Sequence, residues 1–264
     1  MKLRRWFHRH VWLCFFIVVT VLAAATWYGT AYPSVLDIAK TDTEGMTDAA
    51  GAWHDSVDVI YYINLDHRDD RRQEILDELH RMDVPDAKIV RIPGHNKPGQ
   101  GDWGCSLSHV EAVRQFQASG LATALILEDD FLFTCDLDTL NQAFARWSEA
   151  HIPFNVCMLS ANVGQTEPGP YPGLLRVLDA QTASGYLVDR DYAPVLLENF
   201  QEGARLIGES YQRGKGDAIQ GPYCVDQYWK RLQRPGQWFL FDPKVGRQRP
   251  SVSDIQGGFV DSGV

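Results

Sequence analysis

Glu128-Asp129-Asp130 ends an aliphatic run, Leu125-Ile126-Leu127, and Phe131 follows at once. A run this short and apolar reads as a buried strand. Three adjacent acids at the end of such a strand are costly unless a cation sits with them. A hard divalent ion holding a phosphate answers that cost, because Mg²⁺-type ions take one or two carboxylates plus substrate phosphates. The bland alternative is an acidic turn that caps the next element.

Three further segments carry residue types that do chemistry. Asn64 and Asp66 leave an earlier apolar run, with Arg68, Asp69, Asp70, Arg71 and Arg72 behind them. Asn and Asp there can read a base or ribose, and Arg68, Arg71 or Arg72 can meet a diphosphate at a helix N-terminus. A solvated, mixed-charge helix start explains the same residues. Gly104, Cys105, Ser106, Ser108 and His109 open a second helix after a glycine-rich loop. With Ser106 as N-cap, Ser108 and His109 fall in the first turn, where a phosphate or sugar hydroxyl can bind. Simple capping, with His109 packed under the sheet edge, is the plainer account. Asp226 begins a late helix, followed by Gln227, Tyr228 and Trp229. It offers a carboxylate for general-base work beside aromatics that stack on a sugar, or an ordinary helix-start acid with a core Trp.

The elements that must position these groups alternate. Residues 57–63 read as a strand, 69–82 as a helix with Asp69 or Asp70 as N-cap, and 87–92 as a strand. Residues 93–104 form a loop, 106–118 a helix and 122–127 a strand. Such alternation indicates an α/β fold with a parallel sheet, which binds ligands at the carboxyl ends of its strands. The Asn64 and Glu128 clusters therefore share one edge. Beyond Asp130 the reading is a helix over 138–150, a strand over 154–159, an irregular loop over 161–173 and short strands at 174–179 and 185–189. Helices at 191–200 and 225–232 and a strand at 238–241 complete it.

The chain has 264 residues, 45% hydrophobic and 22% charged, with a net charge of −9. These values suit an ordinary globular α/β protein. The first ten residues carry Lys2, Arg4, Arg5 and Arg9 and no acid; the remainder holds 21 basic against 34 acidic residues, a net −13. An acidic domain of this kind is a poor nucleic-acid binder.

Residues 11–28 carry no charge and approach the roughly 20 needed to span a bilayer. Basic residues before the run place residues 1–10 in the cytosol. Residues 29–56 then read as a stem, 57–256 as the functional domain and 257–264 as a tail. The expectation is a single-pass type II membrane protein with its domain lumenal (Golgi or ER) or extracytoplasmic. A cleaved signal peptide is the rival. Cys105, Cys135, Cys157 and Cys224 would then face an oxidising compartment, where disulfides are possible. No CxxC or Cys/His spacing suggests zinc.

Taken in order, four segments resemble glycosyltransferase family 25, which includes lipopolysaccharide-synthesis and collagen galactosyltransferases. They are Ile63 to Asp66 with Arg68, Arg71 and Arg72; Gly104 to His109; Ile126 to Asp130; and Asp226-Gln227 with Pro243, Gln248, Ser253, Asp254 and Ile255. The resemblance implies a GT-A-like fold, a UDP-sugar donor (commonly UDP-galactose), inversion at the anomeric carbon, and a glycan, lipid-linked or protein acceptor. It also implies Mn²⁺, with Mg²⁺ as the alternative, on an Asp-x-Asp-type motif whose place Glu128 and Asp130 would fill. Because no histidine follows His151, a later ligand must be an Asp, a Glu or water, with Asp226 and Asp254 as candidates. On this reading Asp226 is the base, Asn64 and Asp66 place the nucleotide, and Arg68, Arg71, Ser108, His109 and Asp129 lie about the donor. The competing readings are a sugar-binding or adhesion relative without turnover, and a two-carboxylate glycoside hydrolase.

Overall fold

The computed structural model of the chain describes residues 51–214, 221–253 and 258–260. The expected anchor and most of the stem fall outside them, as do Asp254, Ile255 and the tail from 261. Among the described residues, no helix is long and apolar enough to cross a membrane.

Strand β1 (Val59–Asn64) alternates its faces, as a strand must. Val59 and Tyr61 enter one apolar cluster and Ile60 and Tyr62 another. Strand β3 (Thr123–Glu128) does the same, with Ala124 and Ile126 on one side and Leu125 and Leu127 on the other. The sheet is thus buried on both faces, which explains the nearly continuous apolar runs. Helices α2 (Gly101–Ser119) and α4 (Ala193–Gln212) cover the first face. Helices α1 (Asp69–Arg81) and α3 (Leu137–Glu149) cover the second.

The remaining strands are β2 (Ile89–Pro93), β4 (Phe131–Phe133), β5 (Val156–Met158), β6 (Asn162–Pro168), β7 (Leu174–Gln181), β8 (Gly185–Asp189), β9 (Trp238–Phe241), β10 (Gly246–Gln248), β11 (Ser251–Ser253) and β12 (Gly258–Val260). Eight of them form one sheet in the order β2-β1-β3-β8-β5-β9-β7-β6. Strands β2, β1, β3, β5, β9 and β6 point one way, and β8 and β7 run against them. The expected α/β fold with a mostly parallel sheet stands, with two reversed strands added. Strand β10 pairs antiparallel with β4, and β11 with β12.

Several expected boundaries move. The folded part begins before residue 57: a 3-10 turn, Trp53–Ser56, buries Trp53 against Phe133 and Phe144. Helix α2 starts at Gly101, inside the expected loop. Gly104 is there because a Cβ would run into the His95 carbonyl oxygen, so it serves close packing and not loop freedom. Helix α4 continues past the expected end at residue 200, through Gly203 and Gly208. Each lets a neighbour approach, with Tyr223 O 2.9 Å and Trp103 2.9 Å from where a Cβ would sit. The late helix divides at Trp229 into α5 (Val225–Tyr228) and α6 (Lys230–Gln233). The expected loop at 161–173 contains β6, an exposed edge strand bulged near Gln165. With both faces wet, it has no hydrophobic alternation to show.

Candidate functional site

The three acids face three ways, because β3 ends at Glu128 and the chain turns before β4. Glu128 keeps the alternation of β3 and points to the α2 side. His109 Nε2 lies 3.3 Å from its Oε1, Cys105 Sγ 3.5 Å from the same oxygen, and Gln248 Nε2 donates to Oε2 at 3.1 Å. Burial pushes the Glu128 carboxyl up, but the His109 hydrogen bond and charge, with the hydrogen bonds from Cys105 and Gln248, outweigh it and hold the group below its ordinary value. Asp129, 7% exposed, accepts from Asn64 Nδ2 at 2.8 Å and Arg71 Nη1 at 3.0 Å. Its carboxyl is raised by burial in spite of both. Asp130 Oδ2 lies 3.4 Å from Arg71 Nη1, while its Oδ1 is buried and has no hydrogen-bond partner. Burial, then the charge of Glu128, pushes Asp130 up to about 8.

Phe131 locks this turn. Its ring is fully buried between Gly185 and Gly246, and a Cβ on either glycine would collide with it. The β4–β10 ladder pairs Phe131 with Gln248, which brings Gln248 to Glu128.

Asn64, Asp66, Arg68 and Arg71 lie at the same edge, held by one another and by Arg91. Asn64 Nδ2 also donates to the Arg68 carbonyl at 3.0 Å, and its Oδ1 accepts from Arg91 Nε at 3.1 Å. Arg91 Nη2 donates to the Asn64 carbonyl at 3.0 Å and to the exposed Asp66 at 2.7 Å. Arg68 pairs with Asp70 at 2.8 Å. The N-cap of α1 is Arg68, without a side-chain cap, so neither Asp69 nor Asp70 caps it.

Ser108 and His109 are not in a first turn. With α2 starting at Gly101 they lie about two turns in, away from free N–H groups. Ser108 Oγ donates to the Gly104 carbonyl at 2.7 Å and accepts from His95 N at 2.8 Å, pinning the preceding loop. Ser106 donates to the Asp102 carbonyl at 2.9 Å and caps nothing. His109 is fully buried, its Nδ1 3.0 Å from Tyr186 OH, between the rings of Tyr186 and Phe200. This is the packed histidine of the plainer account.

Asp226 sits at the start of α5 and accepts from Thr182 N at 3.1 Å. Burial raises its carboxyl, and the charge of Glu128 adds to the rise, so the two acids feel one another. Thr182 holds φ at 84°, a conformation that a β-branched residue adopts only under constraint.

Sequence reasoning missed Arg91 and Tyr186, and named Cys105 at the start of the second helix without giving it a role. Arg91 had one signal, an Arg inside an apolar strand. Although no CxxC or Cys/His spacing suggests zinc in the sequence, the fold brings a cysteine and a histidine together with a carboxylate. Cys105 and His109 are four apart on α2, and with Glu128 they bring Sγ, a ring nitrogen and a carboxylate oxygen within 4.8 Å of one another. Among the described residues this is the group of three metal-ligating side chains, and the acidic triplet is not one. Burial pushes the Cys105 thiol well up. Among the described residues, no disulfide joins Cys105, Cys135, Cys157 and Cys224 to one another.

No known protein-family profile matches the chain. Procollagen galactosyltransferases 1-B and 1-A of Xenopus laevis are each 28% identical to it over 103 residues, spanning 30% of this chain and 17% of the relative. The similarity thus reaches less than a fifth of those relatives' length. Solved structures similar to the chain include two glycosyltransferases. One is GlyE of Streptococcus pneumoniae TIGR4 (9% identity, 70% of this chain, 45% of that one, TM-score 0.37). The other is involved in glycosylation of the major capsid of PBCV-1 (14% identity, 70% of this chain, 82% of that one, TM-score 0.39). TM-scores this low carry no argument about activity.

Proposed function

We propose that the chain is a glycosyltransferase that moves a hexose, galactose first, from a UDP-sugar to a hydroxyl of a glycan, lipid-linked or protein acceptor, with inversion. The observation that carries this reading is the buried, unpartnered Asp130 Oδ1 at the carboxyl end of β3, among three acids. A buried carboxylate of this kind calls for a cation. The partial match to galactosyltransferases supports the sugar.

Glu128 and Asp130 are the residues that would hold a divalent cation, Mn²⁺ or Mg²⁺. Asp130 offers a free oxygen, and each Glu128 oxygen that accepts a hydrogen bond keeps coordinating capacity. Bound there, the ion would neutralise charge on the departing diphosphate. Asp226 takes the proton from the acceptor hydroxyl as it attacks the anomeric carbon, and its raised proton affinity suits that task. Asn64 and Asp66 place the nucleotide. Arg68 and Arg71 supply positive charge beside the diphosphate, and Ser108, His109 and Asp129 support the donor site from behind. Residues 11–28 anchor the protein as a type II membrane protein, with the domain lumenal or extracytoplasmic.

The test is UDP release by the full-length chain in detergent, across a panel of UDP-sugars, with and without Mn²⁺, beside Asp130→Ala. Metal-dependent release from one donor, lost in the variant, is the expected result. No release from any donor and no UDP binding by calorimetry would sink the reading and leave a sugar-binding relative without turnover.

A further inference from the structure

Cys105 and His109 are one helical turn apart on α2, so both side chains leave the same face of the helix. Glu128 meets them from the end of β3. Sγ lies 3.5 Å and Nε2 3.3 Å from Glu128 Oε1. Tetrahedral zinc at its usual bond lengths sets a thiolate about 3.5 Å, and an imidazole nitrogen about 3.4 Å, from a carboxylate oxygen. The two observed edges already have those lengths. We propose that Cys105, His109 and Glu128 form a three-ligand site for a borderline-soft divalent transition metal, zinc first.

The surroundings agree. His109 Nδ1 is 3.0 Å from Tyr186 OH, the outer hydrogen bond that metal-bound histidines ordinarily make. With the Nδ1 proton donated to that hydroxyl, the Nε2 lone pair is what binds the metal, once the Nε2 proton that meets Glu128 in its absence has left. Metal binding releases the thiol proton and the Nε2 proton to solvent and leaves the imidazole neutral. One thiolate, one carboxylate and a dication then sum to zero charge, the state that burial favours. Three protein ligands leave a fourth position for water. A thiolate and an imidazole among three ligands select against Mg²⁺ and Mn²⁺, which prefer oxygen. Glu128 is common to this site and to the cation site proposed above, but the present inference needs no sugar transfer.

Cobalt(II) titration of the full-length chain, prepared with a chelator and then freed of it, tests the site by its spectrum. The expected result is one equivalent of tetrahedral Co²⁺ with a thiolate-to-cobalt charge-transfer band, displaced by Zn²⁺ and not by excess Mg²⁺. Cys105→Ser abolishes the band, while Cys135→Ser keeps it. Tyr186→Phe keeps the band and weakens affinity about 10- to 100-fold. Absence of the band in wild-type protein with folded circular dichroism overturns the proposal, as does a band that survives Cys105→Ser. Either failure leaves UDP release as a separate question, so the two readings fall independently.

Discussion

Asn64 Nδ2 and Asp129 Oδ2 are 2.8 Å apart, though 65 residues separate them in the chain. They close the carboxyl ends of the adjacent parallel strands β1 and β3. Arg71 completes the contact from α1 at 3.0 Å. Asp129 is therefore the structural acid of the triplet. Asn64→Ala is expected to destabilise the fold by about 1–3 kcal/mol, because a buried carboxylate loses a donor. Arg71→Ala is expected to cost about 3–5 kcal/mol, because it strands a buried charge. Urea midpoints at constant m-value measure both. If Arg71→Ala leaves the midpoint unmoved, the pair contributes nothing.

The Phe131 ring between Gly185 and Gly246 makes the acid turn sensitive to one methyl group. Gly185→Ala is expected to destabilise by about 1–3 kcal/mol, as overpacking of a filled core does. It should also weaken divalent-cation binding, since the turn carries Asp130. Calorimetry with Mn²⁺ on wild type and variant reads the second effect; equal affinities would show that Phe131 does not position the acid.

Asp130 rises from its ordinary 3.8 to about 8. The folded state therefore keeps a proton that the unfolded state has lost between those values. Stability without a cation falls as pH rises through that window, by at most about 1.4 kcal/mol per pH unit from this group, and levels above it. Asp130→Asn removes that slope. The opposite sign holds for cation binding: the ion must displace the proton, so affinity rises with pH, by at most about tenfold per unit below 8. Thermal melts and Mn²⁺ titrations between pH 5 and 9, on wild type and Asp130→Asn, check both signs.

Asp226→Asn preserves shape and removes the base. Turnover is expected to drop about 10²- to 10⁴-fold, with UDP affinity nearly unchanged. The Thr182 N–H can still meet the amide oxygen, so the fold should hold. A variant with full turnover would remove Asp226 from the mechanism and direct attention to another carboxylate.

Local pattern carried the front half of the site. The alternating apolar faces of β1 and β3 and the acids that follow β3 are near-neighbour features, so the sequence alone placed Asn64 and Glu128 on one edge. It also indicated the α/β class, because strand and helix periods are local. Elements without such a period stayed hidden. Strand β6 is wet on both faces, and Gly104, Gly203 and Gly208 look like breakers until the groups packed against them are known.

What each acid does follows from contacts between elements far apart in the chain. Gln248 reaches Glu128 from 120 residues away because β10 pairs with β4. Arg71 and Asn64 claim Asp129, and Asp130 keeps one oxygen buried without a partner. Cys105 and His109 gain a common focus only when β3 delivers Glu128 to the face of α2. Which residues could carry charge and where the strands end are local properties, legible in the chain. Their partners come from strands and helices distant in the chain, and the burial that shifts their proton affinities exists only once the sheet is covered on both faces.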